Sequence, residues 1–277
     1  MYKENLSQQR KARVLVGMVH LGRMLTAEGM GALDQVESRA VGDALALANA
    51  GFDAVLLENF GDTPFHPDHV QPHIIAGMTR MALAVRRSLD GCDKVEVQMG
   101  VQVLRNDALA ALGVAAAVRA SFIRVNVHSG AMVTDQGIIG GRAFETCPYR
   151  DLVAPECALW ADVRVKHASP LGERAIEAEA SDLVRRGRAD VVVVTGQRTG
   201  GEIDIEELAR LHEALPDAAI MAGSGVSLHN YATVLPHVHG VIVGTSIKEE
   251  GEVERPVDRD RAYTLVQGIR RWEKNHS

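Results

Sequence analysis

Residues 218–248, AAIMAGSGVSLHNYATVLPHVHGVIVGTSIK, contain the pattern that decides the fold. Two short apolar runs, Ala218–Ala222 and Gly240–Val243, are each followed at once by a turn rich in Gly, Ser and Thr. Short apolar runs that end in turn residues predict buried β-strands. The same unit of apolar run and turn recurs along the rest of the chain, in alternation with longer amphipathic segments.

Eight such runs are present. The predicted strands are Val14–Val19, Asp53–Leu57, Val95–Val101, Phe122–Val127, Ala161–Val165, Asp190–Val194, Ala218–Ala222 and Gly240–Val243. The helical patterns between them repeat their apolar residues at spacings of three and four, as helices that lie on a sheet require. They are Gln35–Ala50, Val70–Leu89, Asp107–Arg119, Gly172–Arg186, Ile205–Ala214 and Arg259–Lys274.

Eight strands that alternate with helices predict a parallel sheet with right-handed crossovers. An open, doubly wound sheet should carry GxGxxG after its first strand, and this chain has none there. The length of 277 residues fits one barrel, which typically needs about 250 residues. We therefore predict an α/β fold in which residues 1–277 form a single (β/α)8 TIM-barrel domain.

Composition excludes several function classes. The net charge of −6 and the 4% aromatic content disfavour nucleic acid as a partner. Three cysteines without close spacing, Cys92, Cys147 and Cys157, argue against a disulfide scaffold. No apolar run approaches the roughly 20 residues of a membrane span, and residues 1–13 lack the apolar core of a secretion signal. These features predict a cytoplasmic protein.

Two segments depart from the strand–helix rhythm. Residues 1–13 are polar and are interpreted as an N-terminal extension. Residues 128–159, in the long connection after strand four, hold several Gly and Pro residues, and loops of this length are usually functional or mobile. We interpret them as a lid or pocket wall with a short helix near Arg142–Asp151, with disorder as the alternative.

The turns after strands seven and eight predict a phosphate site. The first turn contains Gly223, Ser224 and Gly225, and the second contains Gly244, Thr245 and Ser246. In β/α barrels these two turns commonly hold a phosphate with backbone N–H groups, which glycine lets come close to the anion. The alternative is that both are only tight turns between a strand and a helix.

Polar residues alternate along the three middle strands. They are Glu96, Gln98 and Gln102 in strand three, Arg124, Asn126 and His128 in strand four, and Asp162, Arg164 and Lys166 in strand five. The opposite parity is mostly aliphatic, so the polar residues should point into the barrel. Buried charges need partners, so we expect an internal ionic network of Glu96, Arg124, Asp162 and Arg164. The later residues of each series should reach the catalytic end of the barrel.

Further candidates follow other strands. Glu58, Asn59 and Asp62 come after strand two, where burial can raise the pKa of a carboxylate and make it a base. His20 ends strand one and Thr195 ends strand six, and both are predicted to contact the substrate. A metal site would draw on His20, Glu58, Asp62, His128 and His167. No HxH or HxxxH pair occurs among them, so we predict no cofactor and keep a metal ion as the alternative.

Several segments resemble the BtpA/SgcQ family over nearly the whole chain. They are Val16–Leu21, Glu58–Phe65, Ala161–Ala168, Gly223–Val226 and Val241–Lys248. The resemblance implies a TIM barrel of the ribulose-phosphate-binding type, and it links the family to photosystem I assembly and to bacterial sugar utilisation. It implies no particular reaction. This chain also departs from the family after His20, where it reads Leu21-Gly22-Arg23-Met24-Leu25 in place of a proline-rich stretch.

The leading hypothesis is an enzyme that acts on a phosphorylated, sugar-like metabolite as a lyase, an isomerase or a glycosidic-bond-cleaving enzyme. Glu58 would be the acid or base, Lys166 would stabilise an oxyanion or form a Schiff base, and His128 would carry protons beside Asn126. The alternatives are a non-catalytic assembly or regulatory factor and a metal-dependent hydrolase. Association into a homo-oligomer stays open.

Overall fold

The computed structural model describes residues 12–24, 31–91, 96–172, 174–196 and 203–276. The strands are β1 (Val14–His20), β2 (Ala54–Glu58), β3 (Gln98–Gln102), β4 (Phe122–Val125), β5 (Ala131–Thr134), β6 (Gly137–Gly140), β7 (Ala158–Arg164), β8 (Ala168–Pro170), β9 (Val191–Val194), β10 (Ala219–Ala222) and β11 (Gly240–Val243). The α-helices are α1 (Gly31–Ala50), α2 (Pro72–Asp90), α3 (Ala108–Val118), α4 (Ala143–Val153), α5 (Ile176–Arg185), α6 (Ile205–Ala214), α7 (Tyr231–Val234) and α8 (Arg259–His276).

Eight of the strands close into a parallel barrel. Their order around the ring is β1-β11-β10-β9-β7-β4-β3-β2. Each predicted strand overlaps one strand of this ring, and the closed barrel confirms the predicted fold. The start of the third predicted strand, Val95, and most of the N-terminal extension lie outside the described residues. No helix in the described ranges is long and apolar enough to cross a bilayer.

The loops after β4 and β7 together form a small antiparallel sheet that the sequence did not predict. Strands β5 and β6 form a hairpin, and β8 pairs with the other edge of β5. These strands have only three or four residues, so they carry too little alternation to be recognised. The predicted short helix near Arg142–Asp151 is present as α4, which follows the hairpin. Motion of this region as a lid stays a prediction.

The barrel interior is apolar at its lower end. Phe122 of β4 and Trp160 of β7 are fully buried and stacked, with ring centroids 4.0 Å apart. A Cβ atom at Gly100 of β3 would lie only 2.2 Å from the Phe122 ring, so glycine at this position makes room for the aromatic pair. Tight packing of this kind closes the floor beneath the polar end of the barrel.

A buried ion pair lies next to the aromatic pair, two residues further along β4 and β7 towards the carboxyl ends of the strands. Arg124 donates to both carboxylate oxygens of Asp162, at 2.8 and 3.0 Å, as the predicted network requires. The prediction that Glu96 and Arg164 join this network is wrong. Glu96 precedes β3 and is exposed. Arg164 follows a β-bulge in β7, which turns its side chain outward to Glu179 of α5, 3.1 Å away.

Candidate active site

A cavity of about 300 Å³ opens at the carboxyl ends of the barrel strands, where catalytic residues of this fold lie. It brings together nine of the residues that the sequence singled out. They are His20, Glu58, Lys166, Gly223, Ser224, Gly225, Gly244, Thr245 and Ser246. The two glycine-rich turns and the titratable side chains therefore share one cavity.

The first turn follows β10 and is shaped by glycine and asparagine. A Cβ atom at Gly223 would lie 2.4 Å from Val193 and 3.2 Å from the Arg124 guanidinium, so only glycine fits. Gly225 has a φ of +71°, a conformation that strongly favours glycine. The Asn230 side chain donates to the Gly225 carbonyl and accepts from the Ser227 amide. These bonds hold the turn in one shape before any ligand arrives.

The second turn follows β11 and lies against the first. The Ser246 hydroxyl donates to the Val226 carbonyl at 2.7 Å, which ties the two turns together. A Cβ atom at Gly244 would lie 2.9 Å from the His20 ring, so glycine lets the turn approach that histidine.

The two turns contain backbone N–H groups for which the described residues provide no acceptor. Within the described part of the chain, no hydrogen bond uses the amides of Ser224, Gly225, Thr245 or Ser246. Backbone N–H groups without an internal acceptor at the edge of a cavity are the donors that an anion site requires.

Glu58 and His20 are neighbouring titratable side chains of the cavity. Their closest atoms, Glu58 Oε2 and His20 Nε2, are 3.7 Å apart. Burial raises the pKa of Glu58, although Arg124 and Lys166 oppose the shift. Burial, followed by the ammonium groups of Lys248 and Lys166, lowers the pKa of His20 well below its ordinary value. His20 is therefore a neutral imidazole near pH 7, and Glu58 is a stronger base than an exposed carboxylate.

Lys166 supplies a cation to the same cavity. Burial and the nearby Arg124 lower the pKa of Lys166 to about 8, against the attraction of Glu58 and Asp162. Its ammonium makes no ion pair with any described residue. The buried Arg105 donates to the Lys166 carbonyl at 2.6 Å and so fixes the backbone from which this side chain extends. Lys166 is therefore held in place and left available to a ligand.

Five predicted site residues lie outside this cavity. Asn126 accepts a hydrogen bond from Gln102 inside the barrel. The Thr195 hydroxyl donates to the Arg164 carbonyl. Asn59 and Asp62 line a neighbouring cavity of about 220 Å³, where Asn59 accepts from the Leu104 amide and Asp62 from the Met24 amide. Each of these four side chains therefore already makes a hydrogen bond within the fold.

His128 is the fifth of these residues, and the prediction that it lies beside Glu58 and Lys166 is wrong. Strand β4 ends at Val125, so the alternation of the strand no longer orients residue 128. The Nε2 atom of His128 instead donates to the Gly187 carbonyl, 2.7 Å away. The ring lines a larger cavity of about 940 Å³ between α4 and α5, on the outer side of the barrel. It cannot carry protons for Glu58 from there.

The cavity also contains residues that the sequence did not single out for a role in binding. These are Met18, Phe60, Arg124, Val226, Ser227, Asn230 and Ile242. The alternation in β4 predicts Arg124 only as a member of the internal network, whereas in the structure its guanidinium lies close to Gly223. Met18 has the same parity as His20 in β1, and that parity was the available signal. Asn230 lies in a loop, where no periodicity identifies it.

No group of three or more His, Cys, Asp and Glu side chains among the described residues is arranged to hold a metal ion. The absence of a cofactor stays a prediction.

Comparison with known proteins places the chain among related sequences. The family model described as BtpA family matches residues 11–271. An uncharacterized protein of Thermococcus kodakarensis is 44% identical over 91% of this chain and 94% of its own length. The photosystem I biogenesis protein BtpA of Synechocystis is 36% identical over 92% and 87%, respectively. The putative sgc region protein SgcQ of Escherichia coli is 28% identical over 86% and 85%.

Solved structures share the fold at low identity. The thiamine phosphate pyrophosphorylase of Pyrococcus furiosus superposes with a TM-score of 0.56 at 16% identity, over 95% of this chain and 97% of that one. The phosphoribosyl anthranilate isomerase of Thermus thermophilus superposes with a TM-score of 0.53 at 10% identity, over 93% and 98%. These similarities support the barrel fold.

Proposed function

The chain belongs to the BtpA family, and we propose that it is an enzyme that binds a phosphorylated, sugar-like metabolite and moves a proton on it. The observation that carries the proposal is the shared cavity. The residues of two adjoining turns whose amides have no acceptor among the described residues line the same cavity as Glu58 and Lys166. Two barrels with the same fold are named for phosphorylated compounds, which agrees with this proposal.

The charges around the cavity favour an anionic ligand. Arg105, Arg124 and Lys166 carry three positive charges, and Glu58 and Asp162 carry at most two negative ones. Burial makes an excess positive charge costly until an anion arrives. A phosphate held by the amides of the two turns would supply that anion.

The reacting part of the ligand would lie between Glu58 and Lys166. Glu58 would take a proton from a carbon next to a carbonyl, and its raised pKa makes it suited to that task. The Lys166 ammonium would donate a hydrogen bond to the carbonyl oxygen as negative charge develops on it. His20, neutral and in the same cavity as the second turn, would orient the substrate. This chemistry is that of an isomerase or a lyase.

Thermal unfolding with a panel of sugar phosphates and their unphosphorylated counterparts tests the binding step. A ligand that binds only the folded protein raises its melting temperature. We expect the phosphorylated compounds alone to do so. Ser224→Asp and Thr245→Asp should abolish the shift by placing a negative charge at the anion site. Thr264→Asp, on an exposed face of α8, is the matched control and should keep it.

Turnover of a compound found in this way tests the catalytic step. Glu58→Gln should lower kcat by about 100-fold or more, the range for loss of a general acid or base, and should retain ligand binding. Unchanged turnover in Glu58→Gln and in Lys166→Ala would refute both assigned roles.

A second candidate function is an assembly factor, as the name of the Synechocystis relative suggests for that protein. The small sheet offers a surface for it, because Val133 and Ile138 are cross-strand neighbours and are 44% and 63% exposed. Exposed apolar neighbours of this kind are typical of interaction surfaces. Val133→Ser with Ile138→Ser should abolish an assembly function and leave phosphate binding intact.

A further inference from the structure

Lys248 is completely buried directly behind the second turn. Its ammonium nitrogen lies 2.7 Å from Oδ2 of Asp43, a residue of α1 that is 3% exposed. A buried lysine is costly unless it is paired with a carboxylate, and a long apolar side chain would fill the same space without that cost. Packing alone therefore does not account for an ion pair at this position.

Asp43 holds the segment that follows the turn at a second point. Its other oxygen, Oδ1, accepts a hydrogen bond from the Val257 amide at 2.7 Å. Lys248 and Val257 also face each other as an antiparallel bridge, and the Glu249 amide donates to the Pro256 carbonyl. One carboxylate on α1 thus holds both ends of the loop 248–257.

Lys248 is also part of the turn itself. Its amide donates to the Thr245 carbonyl at 3.1 Å, which closes the short 3₁₀ turn Thr245–Ile247. The hydroxyl of Ser246, in the middle of the same turn, donates to the Val226 carbonyl and so ties this turn to the first one. Thr245 is thus held through its carbonyl and Ser246 through its hydroxyl, and neither bond uses their amides.

We propose that Lys248 is a positioning residue for the anion site, because its ion pair with Asp43 holds the second turn in the shape that directs the Thr245 and Ser246 amides at a phosphate. The inference rests on the proposed phosphate site. It predicts that loss of the ion pair weakens anion binding even where the protein stays folded and Lys248 itself never contacts the ligand.

The test measures the dissociation constant of inorganic phosphate by calorimetry on the full chain. Lys248→Met removes the ammonium and leaves the Asp43 carboxylate unpaired. The double variant Lys248→Met with Asp43→Asn also removes that charge and retains an oxygen for the Val257 amide, so it restores part of the stability but not the tether. Arg270→Met is the control, because it breaks an ion pair with Asp53 at the opposite end of the barrel.

We expect phosphate affinity to fall by about tenfold or more in both Lys248 variants, which corresponds to the loss of one hydrogen bond to a charged group. Arg270→Met should lower the urea midpoint and leave the affinity unchanged. Wild-type affinity in the double variant, with phosphate still bound by the wild-type chain, would overturn the positioning role alone. A wild-type chain that does not bind phosphate would overturn the anion site and this inference together.

Discussion

The ion pair between Arg124 and Asp162 should dominate the stability of the polar layer of the barrel. Its side chains are 5% and 0% exposed, and two hydrogen bonds of 2.8 and 3.0 Å join them. Arg124→Met leaves a buried carboxylate without a partner, which costs about 3–5 kcal/mol. Asp162→Leu leaves a buried guanidinium and should cost a similar amount. The double variant should lose far less than the sum, because it leaves neither charge behind.

Urea unfolding with linear extrapolation measures the free energy of unfolding of the wild type, of the two single variants and of the double variant. Arg80 serves as the control, because it is 37% exposed and its partners Asp34 and Glu37 are also open to water, so Arg80→Met should cost far less than Arg124→Met. Two results would refute the reasoning. The double variant could lose as much stability as the two single variants together, or Arg124→Met could lose less than about 1 kcal/mol. Either result means that water reaches the pair.

Three further predictions concern the cavity. Gly223→Ala should destabilise by about 1–3 kcal/mol in thermal unfolding, because its Cβ would lie 2.4 Å from Val193, whereas Gly113→Ala on α3 has open space and should stabilise by about 0.5–1 kcal/mol. Modification of Lys166 by an amine reagent, followed by peptide mass spectrometry, should rise with a midpoint near pH 8, and a midpoint near the ordinary value of about 10.4 would contradict its lowered pKa. Glu58→Gln should raise the melting temperature at pH 8 and lose this advantage as the pH falls. The reason is that a carboxyl group with a raised pKa destabilises the folded protein only when it is ionised, above that pKa. A gain in melting temperature that does not change with pH would contradict the raised pKa of Glu58.

The sequence predicted the parts of the site that depend on local pattern. The turns at Gly223 and Gly244 follow strands that are short, apolar and bounded by turn residues, so both their type and their position at one end of the barrel could be inferred. His20 and Glu58 are the last residues of their strands, and the strand direction alone places them at the same end.

Other residues depended on geometry that no pattern reveals. The bulge in β7 turns Arg164 outward, and one extra residue in a strand has no sequence signature here. The predicted position of His128 assumes that the alternation of β4 continues to residue 128, whereas the strand ends at Val125. Asn59 and Asp62 follow Glu58 closely, but the chain folds back through the bond from the Gly61 amide to the Leu21 carbonyl and directs both side chains to the neighbouring cavity.

A crystal structure of the protein with ribose 5-phosphate tests the central claim most directly. We expect the phosphate to lie between the two turns, with oxygens at about 2.7–3.2 Å from the amides of Ser224, Gly225, Thr245 and Ser246 and the sugar directed towards Glu58 and Lys166. A phosphate bound elsewhere on the molecule, or turns whose amides stay unused at saturating ligand, would contradict the account.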